Sequence, residues 1–238
     1  MDNLSEDRHA LAVLAHDIKA PLSAIIDLLI VIEKGYVKSP EKSVELISRA
    51  IKKAETVIKI VDDILDFSKL ADKSLMKREK INIFATLKES INLMKPYSDS
   101  MGIKLKHCEF CMNEKFIFGN YTFLLRVFNN VIMNAIKYNK KNGEIFFNSY
   151  EDIKSIKKNI VIEIEDSGIG ISENDLKKVF NIFERGENAR KNMDGSIGLG
   201  LALVKQIVED HDGKIEITSR LGAGTKVMLI LPLLKEGE

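Results

Sequence analysis

The chain has 238 residues, enough for one or two domains, and 36 Lys and Arg against 35 Asp and Glu leave a net charge of +1. That balance, with no basic stripe interleaved with aromatics, excludes an evident nucleic-acid surface, and no apolar run reaches the ~18 residues of a membrane segment. The polar N-terminus does not read as a signal peptide, so the sequence predicts a soluble, cytoplasmic chain.

Residues 4–34 read as one long amphipathic helix ending near Gly35. Leu4, Leu11, Ile18, Ile25 and Ile32 recur at heptad spacing, and Leu14 and Leu28 fall three places after members of that series, as in the a and d positions of a helix seam. On that lettering His16 is an outward f position. Asp17 follows it directly, and Pro21 sits inside the helix, where its ring crowds the carbonyl of Asp17. A bend one turn after His16 is expected, at a cost of about 3 kcal/mol that a plain structural helix has no evident reason to carry. Ser39-Pro40 opens a second helix, with Ser39 as N-cap and Pro40 at the first helical position. Val44, Ile47, Ile51, Ala54, Ile58, Val61 and Leu65 form its seam. A hairpin of two such helices cannot bury both seams alone. Pairing two hairpins gives a four-helix bundle, which predicts a homodimer; the alternative is a monomeric hairpin packed on the rest of the chain.

From Phe67 to Lys80 the sequence is charged and the heptad is lost, which places a domain boundary near Asp72 and divides the chain into 1–72 and 73–238. The second part alternates strand and helix patterns. Strands are expected at 81–83, 102–110, 114–118, 143–150, 160–165, 214–218 and 225–231, and helices at 84–100, 120–139, 175–179 and 199–210. The fold class is therefore multidomain, an all-α hairpin followed by an α+β two-layer sandwich with helices on one face of a mixed or antiparallel sheet. Cys108 and Cys111 form a C-x-x-C beside His107. A four-ligand zinc site would need a second pair, and the segment reads as strand rather than a helix start, so two reduced thiols are expected.

Four local patterns in the second part carry chemistry. Asn130 and Asn134 stand i, i+4 on one helix face, followed by Lys137 and Tyr138. Amide oxygens are hard ligands suited to Mg²⁺, Lys137 suits a phosphate, and Tyr138 suits a base. Asp166 ends an apolar strand and leads into Gly168 and Gly170, a setting in which a carboxylate can accept from the exocyclic amine of adenine. Phe180 and Phe183 precede Arg185, a candidate phosphate contact. Gly195 to Ala202, with Gly198, Leu199 and Gly200, runs into a helix whose N-terminal amides suit a di- or triphosphate. Neither a dinucleotide fingerprint nor a P-loop is present.

In this order, the patterns resemble the N, G1, F and G2 boxes of the GHKL (Bergerat-fold) ATP-binding domain, and residues 14–22 resemble the phosphoacceptor box of two-component sensor histidine kinases. The resemblance spans His9 to Pro232. It implies ATP and Mg²⁺ as cofactors, His16 as the phosphate acceptor, Asp17 as the acid that holds its other ring nitrogen, and Asn134 as the Mg²⁺ ligand with Asn130 nearby. It further implies phosphate contacts from Lys137, Arg185, Gly198, Leu199 and Gly200, an adenine site at Tyr138, Asp166, Gly168 and Gly170, and a lid over residues 187–194. A response regulator receiver domain is the implied partner of the homodimer. Relatives carry an input region ahead of the histidine, so a longer sensor, or a kinase signalled by a partner, is expected. Ala20 stands where many relatives carry Thr or Asn, which implies weak phosphatase activity. The alternative function is a nucleotide-binding dimeric pseudokinase or scaffold without turnover.

Overall fold

The computed structural model describes residues 2–71, 77–107, 114–152, 158–182, 184 and 198–235. The chain divides into two compact units, Met1–Ser68 with Asn181–Leu199, and Lys69–Phe180 with Gly200–Glu238.

The first unit is built on two long helices, α1 (Asp2–Glu33) and α2 (Pro40–Ala71). α1 runs through Pro21 as α-helix and stops where Gly35 takes a φ of +64°, a conformation glycine adopts without Cβ strain. Tyr36 N–H donates to the carbonyl of Val31 and Gly35 N–H to that of Ile32, the paired bonds of a Schellman stop. Pro40 opens α2, and the Ser39 hydroxyl accepts from Lys42 N–H at 3.4 Å. In α1, Leu14, Ile18, Ile25, Leu28 and Ile32 are half-buried, whereas Leu22, Ile26, Leu29 and Ile30 are exposed. In α2 the expected seam lies largely outward: Val44, Ile47, Ile51, Ile58, Val61 and Leu65 are exposed, and the buried or half-buried apolar residues include Leu46, Ala50, Val57, Ile60 and Ile64. Each helix therefore carries more apolar surface than one hairpin covers. Ile60 and Leu199 form a small buried cluster with Leu14, Ile18 and Ile64 around them.

The second unit begins with β1 (Glu79–Asn82), α3 (Ile83–Ser100), β2 (Lys104–His107) and β3 (Phe116–Gly119). It continues through α4 (Tyr121–Lys137), β4 (Glu144–Asp152), β5 (Asn159–Asp166) and the single turn α5 (Glu173–Leu176), and closes with α6 (Gly200–Asp210), β6 (Lys214–Arg220) and β7 (Gly224–Pro232). The main sheet has the order β2-β4-β5-β7-β6, with β2 parallel to β4 and every other neighbour antiparallel. β1 and β3 pair antiparallel in a separate two-stranded sheet. The sequence pattern gives strands but no pairing partner, so this small sheet is a feature that only the structure supplies.

Side-chain caps set the helix starts. The Asn82 carboxamide oxygen accepts from the N–H groups of Phe84 and Ala85 at 3.2 Å each, and that of Asn120 accepts from Phe123 N–H at 3.1 Å. α4 packs against α3, α6 and β5, and its apolar stripe, including Phe128, Val131, Ile132 and Ile136, joins Ile145 and Phe147 of β4, Ile162 and Ile164 of β5 and Leu229 of β7 in one buried core. Burial of this many large apolar side chains supplies the main favourable term for the fold.

Candidate functional site: a nucleotide cradle and an exposed histidine

Alternation along β5 buries Ile160, Ile162 and Ile164 in the core, and the same period of two places Asp166 next in that series. Asp166 is 8% exposed. Its Oδ1 accepts from Gly168 N–H at 2.8 Å and from Thr225 N–H at 3.3 Å. Oδ2 takes no hydrogen bond among the described residues. Burial pushes the carboxyl up to about 6; the two amide donors pull the other way, and the neighbouring Glu165 charge adds to the rise. A buried carboxylate with one oxygen pinned and the other spare is suited to accept from a ligand amine.

The loop after Asp166 is held from two sides. Ile169 N–H donates to the carbonyl of Tyr138 at 3.0 Å, and the Ile169 carbonyl accepts from Gly222 N–H at 2.7 Å. A Cβ on Gly168 would run into the Tyr138 carbonyl and the Asp166 carboxylate. Gly170 has a φ of +67°, and its Cα faces the carbonyl of Arg220 too closely for a side chain. The glycines at these two places are thus required by the close approach of backbone to backbone.

Asn130 and Asn134 lie one turn apart on α4, both half-buried beside its apolar stripe. The Asn130 Nδ2 donates to the Arg126 carbonyl at 3.2 Å; a Cβ on Gly200, at the start of α6, would stand 3.3 Å from its Oδ1. The Asn134 side chain makes no hydrogen bond among the described residues. Its neutral hard oxygen, one turn from a second amide oxygen and near a helix start, fits the donor chemistry of a Mg²⁺ ion that keeps most of its shell for water and phosphate. Lys137 holds its ammonium over the Tyr138 ring, 4.8 Å from the centroid.

Not every residue singled out in the sequence falls here. Gly198 and Leu199 belong to the first unit, where Gly198, with a φ of +76°, approaches the Glu184 carbonyl and Leu199 is buried beside Ile60. Arg185, Phe183, the 187–194 segment, Cys108 and Cys111 lie outside the described residues, as do the side chains of His9 and His107. Among the described residues, no group of three or more His, Cys, Asp or Glu is placed to hold a metal ion.

In the first unit, the His16 side chain is 80% exposed, and its Nδ1 stands 3.2 Å from Asp17 Oδ1. A carboxylate can only accept, so this contact assigns the proton to Nδ1 and leaves the lone pair on Nε2, which faces solvent.

Two further buried residues support the cradle. His211 is 1% exposed; its Nδ1 donates to the Ile207 carbonyl at 2.7 Å and its Nε2 accepts from Asn120 N–H at 2.9 Å. Asn139, also buried, bonds to Ser167 beside the Asp166 turn. Asn139 bears no sequence signal beyond a polar residue at a helix end.

Comparisons with known proteins agree with this architecture. The family described as histidine kinase-, DNA gyrase B-, and HSP90-like ATPase matches residues 119–235, and the His Kinase A (phospho-acceptor) domain matches residues 7–73. The sensor protein kinase WalK of Staphylococcus aureus is 30% identical over 240 residues, covering 98% of this chain and 56% of that sequence. Against longer WalK sequences the match covers 38% of the relative, so the chain spans about half the length of its curated relatives or less. The Acinetobacter baumannii histidine kinase AdeS shares the fold with a TM-score of 0.70 at 20% identity, over 92% of this chain and 98% of AdeS. The histidine kinase ThkA, solved in complex with the response regulator protein TrrA, gives 0.76 at 23% identity, over 100% of this chain and 65% of that one. The chain belongs to the two-component sensor histidine kinases. It carries their catalytic core, a phosphoacceptor domain followed by an ATPase-type domain.

Proposed function

We propose that the chain is an ATP-dependent protein-histidine kinase that phosphorylates His16 and passes the phosphoryl group to an aspartate of a response regulator receiver domain. The observation that carries this reading is the exposed His16 imidazole, with Asp17 at 3.2 Å from Nδ1 and Nε2 open to solvent. The Nε2 lone pair attacks the γ-phosphorus of ATP, the bond from that phosphorus to the β,γ-bridging oxygen breaks, and ADP leaves with the electron pair. The positive charge that develops on the ring is stabilised by Asp17, which can take the Nδ1 proton.

In the second unit Asp166 accepts from the adenine amine, Tyr138 flanks the base, and Gly168 and Gly170 let the backbone approach it. Asn134 would hold Mg²⁺, with Asn130 beside it, and Lys137 and Gly200 would meet the phosphates. Bound Mg²⁺ would neutralise charge on the transferring phosphoryl group. The outward apolar residues of α1 and α2 support a homodimer through a four-helix bundle. The solved pair of ThkA with TrrA supports a receiver domain as the acceptor. No described helix is long and apolar enough to cross a membrane, which fits a cytoplasmic catalytic core.

Incubation with γ-labelled ATP and Mg²⁺ tests the reading. Acid-labile, base-stable label on the protein, lost in His16→Ala, is expected. Nucleotide binding with neither label nor phosphate release would instead make the chain a scaffold.

A further inference from the structure

Asn139 follows Tyr138 directly, and its side chain is buried in a closed ring of hydrogen bonds. Its Oδ1 accepts from the Ser167 hydroxyl at 3.2 Å and from Lys140 N–H at 3.0 Å, while its Nδ2 donates to the Glu144 carbonyl at 3.1 Å. That carbonyl also accepts from Ser167 N–H at 3.1 Å, and the Ser167 hydroxyl accepts from Glu144 N–H at 2.9 Å. The carboxamide thus meets two donors on its oxygen and an acceptor on its nitrogen, so only one orientation satisfies the ring. Gly143 packs against Oδ1 with no room for a Cβ, which keeps the turn closed over the amide.

The ring matters because of what Ser167 joins. It lies between Asp166 and Gly168, whose N–H donates to Asp166 Oδ1. The far side of the same turn is held by Ile169 N–H on the Tyr138 carbonyl. Two consecutive residues at the end of α4 therefore grip both flanks of the Ser167-Gly168-Ile169 turn, one through its backbone and one through its side chain. We infer that Asn139 is a positioning residue, which acts through the Ser167 hydroxyl to hold Asp166 in the orientation that reads the exocyclic amine of a purine nucleotide. The inference rests on the reading that Asp166 takes the adenine of ATP. In a buried network each bond restrains its neighbours, and removing one partner leaves the others facing an unsatisfied group.

The test compares ATP with inosine triphosphate, which carries a carbonyl where adenine carries the amine, by calorimetric binding to the whole chain. The wild type is expected to prefer ATP. In Asn139→Ala, ATP affinity should fall about tenfold, the size of one or two lost hydrogen bonds, while the weaker inosine triphosphate binding stays where it was, so that the preference narrows. Ser167→Ala should narrow it equally, the double variant no further, and Ser167→Thr, which keeps the hydroxyl, should restore it. If Asn139→Ala does not fold, Ser167→Ala and Ser167→Thr carry the comparison. A parallel loss for both nucleotides, or a preference carried unchanged into the variants, overturns the role of Asn139. A wild-type chain that binds both nucleotides equally overturns the reading of Asp166 itself.

Discussion

The backbone N–H of Asn120 donates to Nε2 of His211 at 2.9 Å, joining the N-cap of α4 to the C-terminal end of α6. Because that ring nitrogen must accept, and Nδ1 donates to the Ile207 carbonyl, His211 is neutral in the fold. Burial holds its pKa below the ordinary 6.5, and the Arg78 charge works in the same direction. Below the unfolded value the denatured chain binds the proton more readily than the native one, so this group costs stability as pH falls through and below about 6.5. Urea unfolding followed across that range should show the decline. His211→Leu should lose about 1–3 kcal/mol at neutral pH, because it orphans the Asn120 N–H, and should flatten the acid limb. An unchanged limb in the variant would remove His211 as its source.

Asp166 titrates with the opposite sign for stability. Its carboxyl is held at about 6 instead of the ordinary 3.8, so the folded chain takes up a proton there before the unfolded one does. The cost of burying the charge is relieved on acidification between those values. For nucleotide the consequence is reversed, since an ionised carboxylate is the better acceptor. ATP affinity should weaken as pH drops below about 6, and Asp166→Asn should bind ATP more weakly at neutral pH and lose that dependence. Binding titrations of both proteins, with the nucleotide's own protonation common to the two, read the difference.

At Gly168 the expected effect is steric. A methyl group there must displace the Tyr138 carbonyl or the Asp166 carboxylate, and the Ile169 bond to Tyr138 goes with it. Gly168→Ala should destabilise the second unit by roughly 1–3 kcal/mol and abolish measurable ATP binding. Thermal unfolding with and without ATP measures both; a variant still stabilised by ATP as the wild type is would contradict the packing described.

On the hairpin, Ile26 and Ile51 are exposed at 55% and 53%. Substituting both with Glu should leave the helix content unchanged but convert a dimer to a monomer, since paired apolar faces do not accept unpaired carboxylates. Sedimentation velocity would read the change. A variant that stays dimeric would place the interface elsewhere.

Much of this was legible from periodicity. The heptads located α1 and α2, and alternation located β4, β5 and β7, with ends displaced by only a few residues. The α2 sequence shows a single stripe, yet in one chain that stripe is mostly exposed and a second set around Ala50 and Ile60 is buried. A helix packed against two neighbours carries two overlapping faces, and a one-dimensional pattern favours the stronger. Strand pairing was not legible either: β1 and β3 leave the main sheet because register depends on partners distant in sequence. At the site, Asp166 and the glycines stood out by type and spacing. Asn139 did not, because a buried amide closing a ring with Ser167 and Glu144 is written in three dimensions and looks, in sequence, like an ordinary helix-end asparagine.

The turn between β6 and β7 lies far along the chain from the Asp166–Gly170 loop, yet it supplies Gly222 N–H to Ile169, the Arg220 carbonyl facing Gly170, and Thr225 N–H to Asp166 itself. That hairpin forms the back wall of the corner around Asp166, the proposed adenine site. A lesion in it should therefore present as altered purine selectivity, even though none of its residues belongs to the adenine-reading motif.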